Sequence, residues 1–199
     1  MRADGTHVHT VTHGKLDDDS PAWAPDQRRI VFSRDRVLFI VAPAGGPVHR
    51  LVRGSGGEAA NPAWSPERKL IAYDYRTPGG SAQEIWVVGV DGLHPRRVTR
   101  LGAVSTLPSW SPDGRRIAFQ SNIHGGHFEI YSIGLDGHGL RRETRSAIDT
   151  IDPAWSPNGN EIAFSRDGAI WTVDRAARER KITSSGNDST PTWRPVLRH

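Results

Sequence analysis

The residues able to do chemistry in this 199-residue chain are histidines and carboxylates, since it contains no cysteine. His7, His9 and His13 form the most metal-like group, with Asp17, Asp18 and Asp19 close behind. Residues two apart on a strand share a face, so His7 and His9 could offer two imidazoles to one zinc ion. A third fixed ligand has no evident source, and exposed histidines on a terminal strand explain the cluster without a metal. His124-Gly-Gly-His127 is a second pair, placed in a hairpin loop. A hydrolase nucleophile elbow needs Gly-x-Ser-x-Gly between strand and helix, and that string is absent. The expectation is a protein without catalysis of its own and without a cofactor.

Charge narrows the partners. The formal net charge is +4, but 23 of the 26 basic residues are arginine and they fall in every part of the chain. Phosphate binding needs a clustered patch, so no nucleic-acid partner is expected. No run approaches 18 apolar residues, so no membrane span is expected, and Met1–Ser20 lacks the apolar core of a signal peptide.

The elements that must position these groups repeat. Pro21-Ala-Trp23, Pro62-Ala-Trp64, Pro108-Ser-Trp110, Pro153-Ala-Trp155 and Pro191-Thr-Trp193 recur at intervals of 41, 46, 45 and 38 residues. A unit near 40 residues cannot bury its own apolar face and must stack on its neighbours. The third copy reads most clearly. A short strand around Trp110 meets the turn Pro112-Asp113-Gly114, and Ile117-Ala-Phe119 alternates as a second strand. Phe128 to Ile133 make a third strand, Asp136-Gly137 a turn, and Leu140 to Thr144 a polar fourth strand suited to an outer edge. The other copies align strand for strand. Four-stranded antiparallel sheets packed around an axis make an all-β propeller. The tryptophans, alike in every copy, are expected between sheets.

The pattern Pro-x-Trp-Ser-Pro-Asp-Gly-x-x-Ile-Ala-Phe, followed by Ile-Tyr or Ile-Trp and Asp-Gly, resembles the WD-like repeat of the TolB propeller family from Ser20 to Pro195. The resemblance implies a propeller that binds a protein or peptide, in the bacterial periplasm or outside the cell. It implies as the alternative the substrate-gating propeller of a larger prolyl oligopeptidase-like hydrolase or lyase. Complete blades are expected over about 20–53, 61–100, 107–145 and 152–184. A fifth, split blade would have its last strand within 1–12 and its first within 190–195, leaving the middle strands missing and a seam prone to self-association.

Loops running from each fourth strand to the next first strand would share one mouth of the central channel. They carry Asp17, Asp18, Asp19, Glu58, Asn61, Ser105, Thr106, Asp149, Asp152, Asn187 and Asp188. Loops on a rigid scaffold are the usual place for binding. Converging carboxylates would favour a cationic peptide or a metal ion; singly, the same acids could serve only as turn acceptors before proline.

Overall fold

The computed structural model describes residues 6, 8–14, 16–52, 56–184 and 186–193. Turn residues interrupt short alternating apolar runs, and the described residues accordingly form four antiparallel four-stranded sheets and no helix. The first sheet contains β1 (Asp18–Trp23), β2 (Ile30–Arg34), β3 (Val37–Val41) and β4 (His49–Arg50). The second contains β5 (Glu58–Trp64), β6 (Leu70–Arg76), β7 (Gln83–Gly89) and β8 (Arg96–Arg97). The third contains β9 (Ser105–Trp110), β10 (Arg116–Ser121), β11 (Glu129–Gly134) and β12 (Arg141–Arg142). The fourth contains β13 (Ile151–Trp155), β14 (Glu161–Arg166), β15 (Ala169–Asp174) and β16 (Glu179–Lys181). Each is a meander with its strands in sequence order.

Apolar layers lie between successive sheets. Val31, Leu38 and Ile40 of the first meet Trp64, Ile71 and Tyr73 of the second. Ala72, Ile85 and Val87 then meet Trp110, Ile117 and Phe119, and Ala118 and Ile130 meet Ile162 and Phe164. The repeated tryptophan ties each sheet to the one before it. Trp64 Nε1 donates to Ala22 O at 3.1 Å, Trp110 Nε1 to Ala63 O at 3.0 Å and Trp193 Nε1 to Ala154 O at 2.9 Å. Trp155 breaks the series: Ser109 Oγ accepts from its backbone N at 3.1 Å, and its buried Nε1 has no partner.

Two expectations need correcting. Trp23 is expected between sheets but is 57% exposed, against 8% for Trp64 and Trp110, because no sheet among the described residues packs over it. The described residues within 1–12 form no strand, and neither do Pro191, Thr192 and Trp193. A ladder needs a neighbour, and each of these segments lacks one among the described residues.

In the second and third sheets a buried carboxylate fixes the polar fourth strand. Glu84 accepts from Arg97 Nη2 at 2.5 Å, from Leu101 N and Gly102 N at 2.9 Å, and from the Thr99 hydroxyl. Glu129 repeats this with Arg142 at 3.1 Å, Ser146 N at 2.5 Å and the Thr144 hydroxyl. Buried charge is tolerated here because both oxygens of each carboxylate accept hydrogen bonds and an arginine stands opposite.

Candidate functional site at the propeller axis

Proline has no N–H, so a strand that contains it cannot keep an unbroken ladder. Every first strand answers with a bulge at its x-Pro step. The register shifts between Asp19 and Ala22, between Ala60 and Ala63, opposite Ala118 and Gln120, and between Ile151 and Ala154. A bulge re-aims side chains. The residue before each proline takes a left-handed φ: 49° at Ser20, 48° at Asn61, 56° at Leu107, 56° at Asp152 and 49° at Thr190. For L residues this costs about 1 kcal/mol or more apiece, and surrounding structure has to impose it.

The five steps surround one depression of about 290 Å³, lined by Ser20, Asn61, Asp152 and Thr190 together with Leu107 and the five prolines. Hydrogen bonds link its wall from unit to unit. Ser20 Oγ donates to Asn61 Oδ1 at 3.0 Å, and Asn61 Nδ2 donates to Asp74 Oδ2 at 2.8 Å. Asp74 also accepts from Gln83 Nε2 at 2.6 Å and from Leu107 N at 3.2 Å. Gln120 Oε1 accepts from Asp152 N at 3.1 Å, and Asp152 Oδ2 accepts from Thr190 N at 3.3 Å. Asp74 is fully buried, and that desolvation pushes its carboxyl above the usual range. The donors from Asn61, Leu107 and Gln83 oppose the rise, while the Asp19 charge adds to it.

The structure brings Asn61 and Asp152 to this depression, with Asp19 close enough to act on Asp74. It does not bring the other residues there. Asp18, Asp19, Glu58, Asn61, Thr106 and Asp152 also lie in first strands and not in the preceding loops, because the long second strands pair with them across the bulge. Asp18 is clamped by Arg34, Nε to Oδ1 at 2.5 Å and Nη2 to Oδ2 at 2.7 Å, with Thr12 Oγ1 donating at 2.5 Å. The Arg34 guanidinium holds the Asp18 carboxyl below its ordinary value. Glu58 pairs with Arg36, and with Arg76 at 2.7 Å. Asp149 accepts from Phe128 N at 2.8 Å and lies 3.8 Å from His127 Nδ1. Thr106 sits opposite Gln120 in the ladder, and Ser105 Oγ is bonded to Ser121 Oγ at 3.0 Å. Asp188 N donates to Gly168 O at 2.8 Å, and Asn187 and Asp17 are exposed. Arginine thus neutralises Asp18 and Glu58, while Asp152 lines the depression and buried Asp74, bonded to the lining Asn61, lies behind it.

His9 and His13 are exposed outside any strand, with His9 Nε2 3.1 Å from Pro43 O; His7 lies outside the described residues. Among the described residues no group of three or more histidines or carboxylates is arranged to hold a metal ion. Sequence reasoning missed Ser20, Leu107, Thr190, Asp74 and Gln120. The signal for the first three was the x-Pro step itself, repeated five times. For Asp74 and Gln120 it was a polar residue directly after Ile-Ala-aromatic in the second strand.

Radial sheets, indole rungs and a common axial depression define a β-propeller. The family model of the TolB beta propeller domain matches residues 46–198, so this chain belongs to that family. No curated protein matches it in sequence. TolB from Acinetobacter baumannii superposes with a TM-score of 0.73 at 21% identity, over 91% of this chain and 47% of that one. A structure from Agrobacterium tumefaciens assigned to TolB gives 0.65 at 18% identity, over 86% and 82%. An oligogalacturonate lyase in complex with manganese gives 0.68 at 15% identity, over 87% and 55%. At these identities the likeness is one of fold. The chain spans about half the length of the Acinetobacter TolB and of the lyase.

Proposed function

We propose that this protein is a non-catalytic platform that binds a protein or peptide at the axial mouth, through a cationic side chain. The observation that carries this reading is the depression ringed by five left-handed x-Pro steps. Strain held at five equivalent points around one opening is what a shaped recognition surface requires. The prolines give rigid apolar walls, and Asp152, Asn61, Ser20 and Thr190 give acceptors at the rim. With Asp19 and buried Asp74 near, the local potential favours a lysine or arginine.

The test is titration with matched peptides differing only in Lys against Glu at the central position. Lysine peptides should bind, more weakly at high salt, and Asp152→Asn should cost about ten-fold in affinity, in keeping with loss of one charge-assisted contact. Equal binding of both peptides, or binding indifferent to Asp152, would overturn the reading.

The superposition on a manganese-bound lyase favours one second reading: the substrate-gating propeller of a larger hydrolase or lyase. Calorimetric titration with oligogalacturonate separates the two, because a gating propeller would hold the substrate even without the rest of the enzyme. Binding would support the second, and no binding would favour the platform.

A further inference from the structure

We propose that the cleft between the third and fourth sheets binds a guanidinium group, stacked on Trp155 and paired with Glu143. The cleft has a volume of about 340 Å³ and shares no lining residue with the axial depression. It is there because the third interface departs from the first two at Arg116, Trp155 and Glu143. The residues just before Ile30, Ile71 and Ile117 are Arg29, Leu70 and Arg116. The Arg29 guanidinium carbon lies 5.0 Å from the centre of the Trp64 ring, and Leu70 packs in the cluster that holds Trp110. Arg116 is drawn back into its own sheet instead. Its Nε and Nη2 donate to Ser132 Oγ at 3.2 and 2.8 Å, and Nη2 also donates to Gly139 O at 2.8 Å. Trp155 is left only partly buried on the wall of the cleft, and its Nε1 lacks the carbonyl acceptor that Trp64 and Trp110 have.

Glu143 supplies the charge. Its backbone N–H donates to Ile130 O as that of Leu51 does to Leu38 O and that of Val98 to Ile85 O. A carboxylate therefore stands where the first two interfaces hold a buried apolar side chain, and it is itself only 9% exposed. Its Oε1 accepts from Ser132 Oγ at 2.5 Å, while Arg141 Nε lies 3.8 Å away, beyond hydrogen-bond reach. Oε2 has no partner among the described residues, whereas both oxygens of Glu84 and of Glu129 are bonded. A buried carboxylate with an open acceptor position is costly, and a cation entering the cleft would complete it.

The rest of the lining agrees with a cation. Asp113, Glu161 and Asp174 join Glu143 there, four carboxylates against the three guanidiniums of Arg116, Arg141 and Arg175. Arg116 is spent on Ser132 and Gly139, and Arg175 donates to Gly159 O from Nε and Nη2 at 3.1 and 3.0 Å. A guanidinium is favoured over an ammonium because its plane can lie on an indole while its edge offers N–H groups to a carboxylate. Arg29 on Trp64 shows the fold accepting that group at the equivalent place. A volume of about 340 Å³ has room for a small alkylguanidine or for one arginine side chain.

The test is titration of the whole protein with butylguanidinium, read from the Trp155 indole N–H in two-dimensional NMR and assigned with Trp155→Phe. Pentanoate is the anionic counterpart, and an arginine-containing pentapeptide is the second source of the same group. Butylguanidinium should give a saturable one-to-one shift at Trp155 that weakens with salt. Glu143→Gln should weaken binding about ten-fold or more, as loss of one charge-assisted pair does. Glu143→Val, the residue type of Val98 at the matching position, should abolish binding while far-UV circular dichroism stays unchanged. Tighter binding of the pentapeptide would assign the group to a partner's side chain and tighter binding of butylguanidinium to a free ligand, and either supports the site. No saturable shift at Trp155, undiminished binding by Glu143→Gln, or preference for pentanoate would each overturn the proposal. Shifts confined to Asn61 and Thr190 would do the same, since they would put the cation at the axis.

Discussion

Replacing Trp110 by Ala should cost far more stability than the same change at Trp23, although the sequence presents the two as equivalent. An indole side chain buries of the order of 200 Å² when enclosed, and Trp110 is 8% exposed, so about 25 cal/mol per Å² gives about 5 kcal/mol of gross burial. Alanine retains part of that area, while the void and the orphaned Ala63 carbonyl add cost. The expected net loss is about 3–5 kcal/mol. At Trp23, 57% exposed, less than half the area is buried and no rung is lost, so about 1–1.5 kcal/mol is expected. Urea unfolding followed by far-UV circular dichroism measures both, with the midpoint shift read at a common slope. Stacked repeats share stability through nearest neighbours, so the Trp110 loss should appear as destabilisation on both sides of that interface. Equal losses at the two sites would refute the reasoning, because the two indoles would then be equally enclosed.

The other expectations use the same assay. Trp155→Phe should cost about 1 kcal/mol or less, well under Trp110→Phe, because it removes a buried N–H that has no partner. Glu84→Ala should cost about 3–5 kcal/mol by stranding Arg97 and the Thr99 hydroxyl, while Glu58→Ala on the exposed rim should cost less than about 1. The Asp74 carboxyl is raised by burial, so its contribution is fully present below its unfolded value near pH 4 and is lost as pH rises through the folded one. Asp74→Asn should therefore gain on the wild type as pH increases from about 4 towards neutrality, and parallel pH curves would count against it. Asp18, lowered by Arg34, acts in the opposite sense: its contribution is present above about pH 4 and fades as pH falls through its folded value.

The fold was legible because its determinants are local and repeated. Pro112-Asp113-Gly114 and Ile117-Ala-Phe119 announce a turn and a strand without knowledge of neighbours, and the strands lie close to where the alternation placed them. The exposure of Trp23 was not legible. Its local sequence matches that of Trp64, and the difference lies wholly in what packs against it. The site was read in part. Asn61 and Asp152 were picked out as polar residues before proline, and they do meet at the axis. Leu107 and Thr190 share the same position and were passed over, because the reading weighed side-chain chemistry where backbone conformation makes the positions equivalent. Asp18 and Glu58 looked like mouth carboxylates, but Arg34, Arg36 and Arg76 reach them from second strands and turns, a pairing that spacing along the chain does not reveal.

The central claim is that the repeats are successive blades, with the indoles of Trp64, Trp110 and Trp193 fastened to the unit before them and that of Trp23 left uncovered. Hydrogen exchange of tryptophan Nε1–H groups, resolved by two-dimensional NMR and assigned by single Trp→Phe variants, tests it directly. The account requires slow exchange at Trp64, Trp110 and Trp193, which donate to Ala22, Ala63 and Ala154, and fast exchange at Trp23. Protection of Trp23 equal to that of Trp64 in the isolated monomer would contradict it.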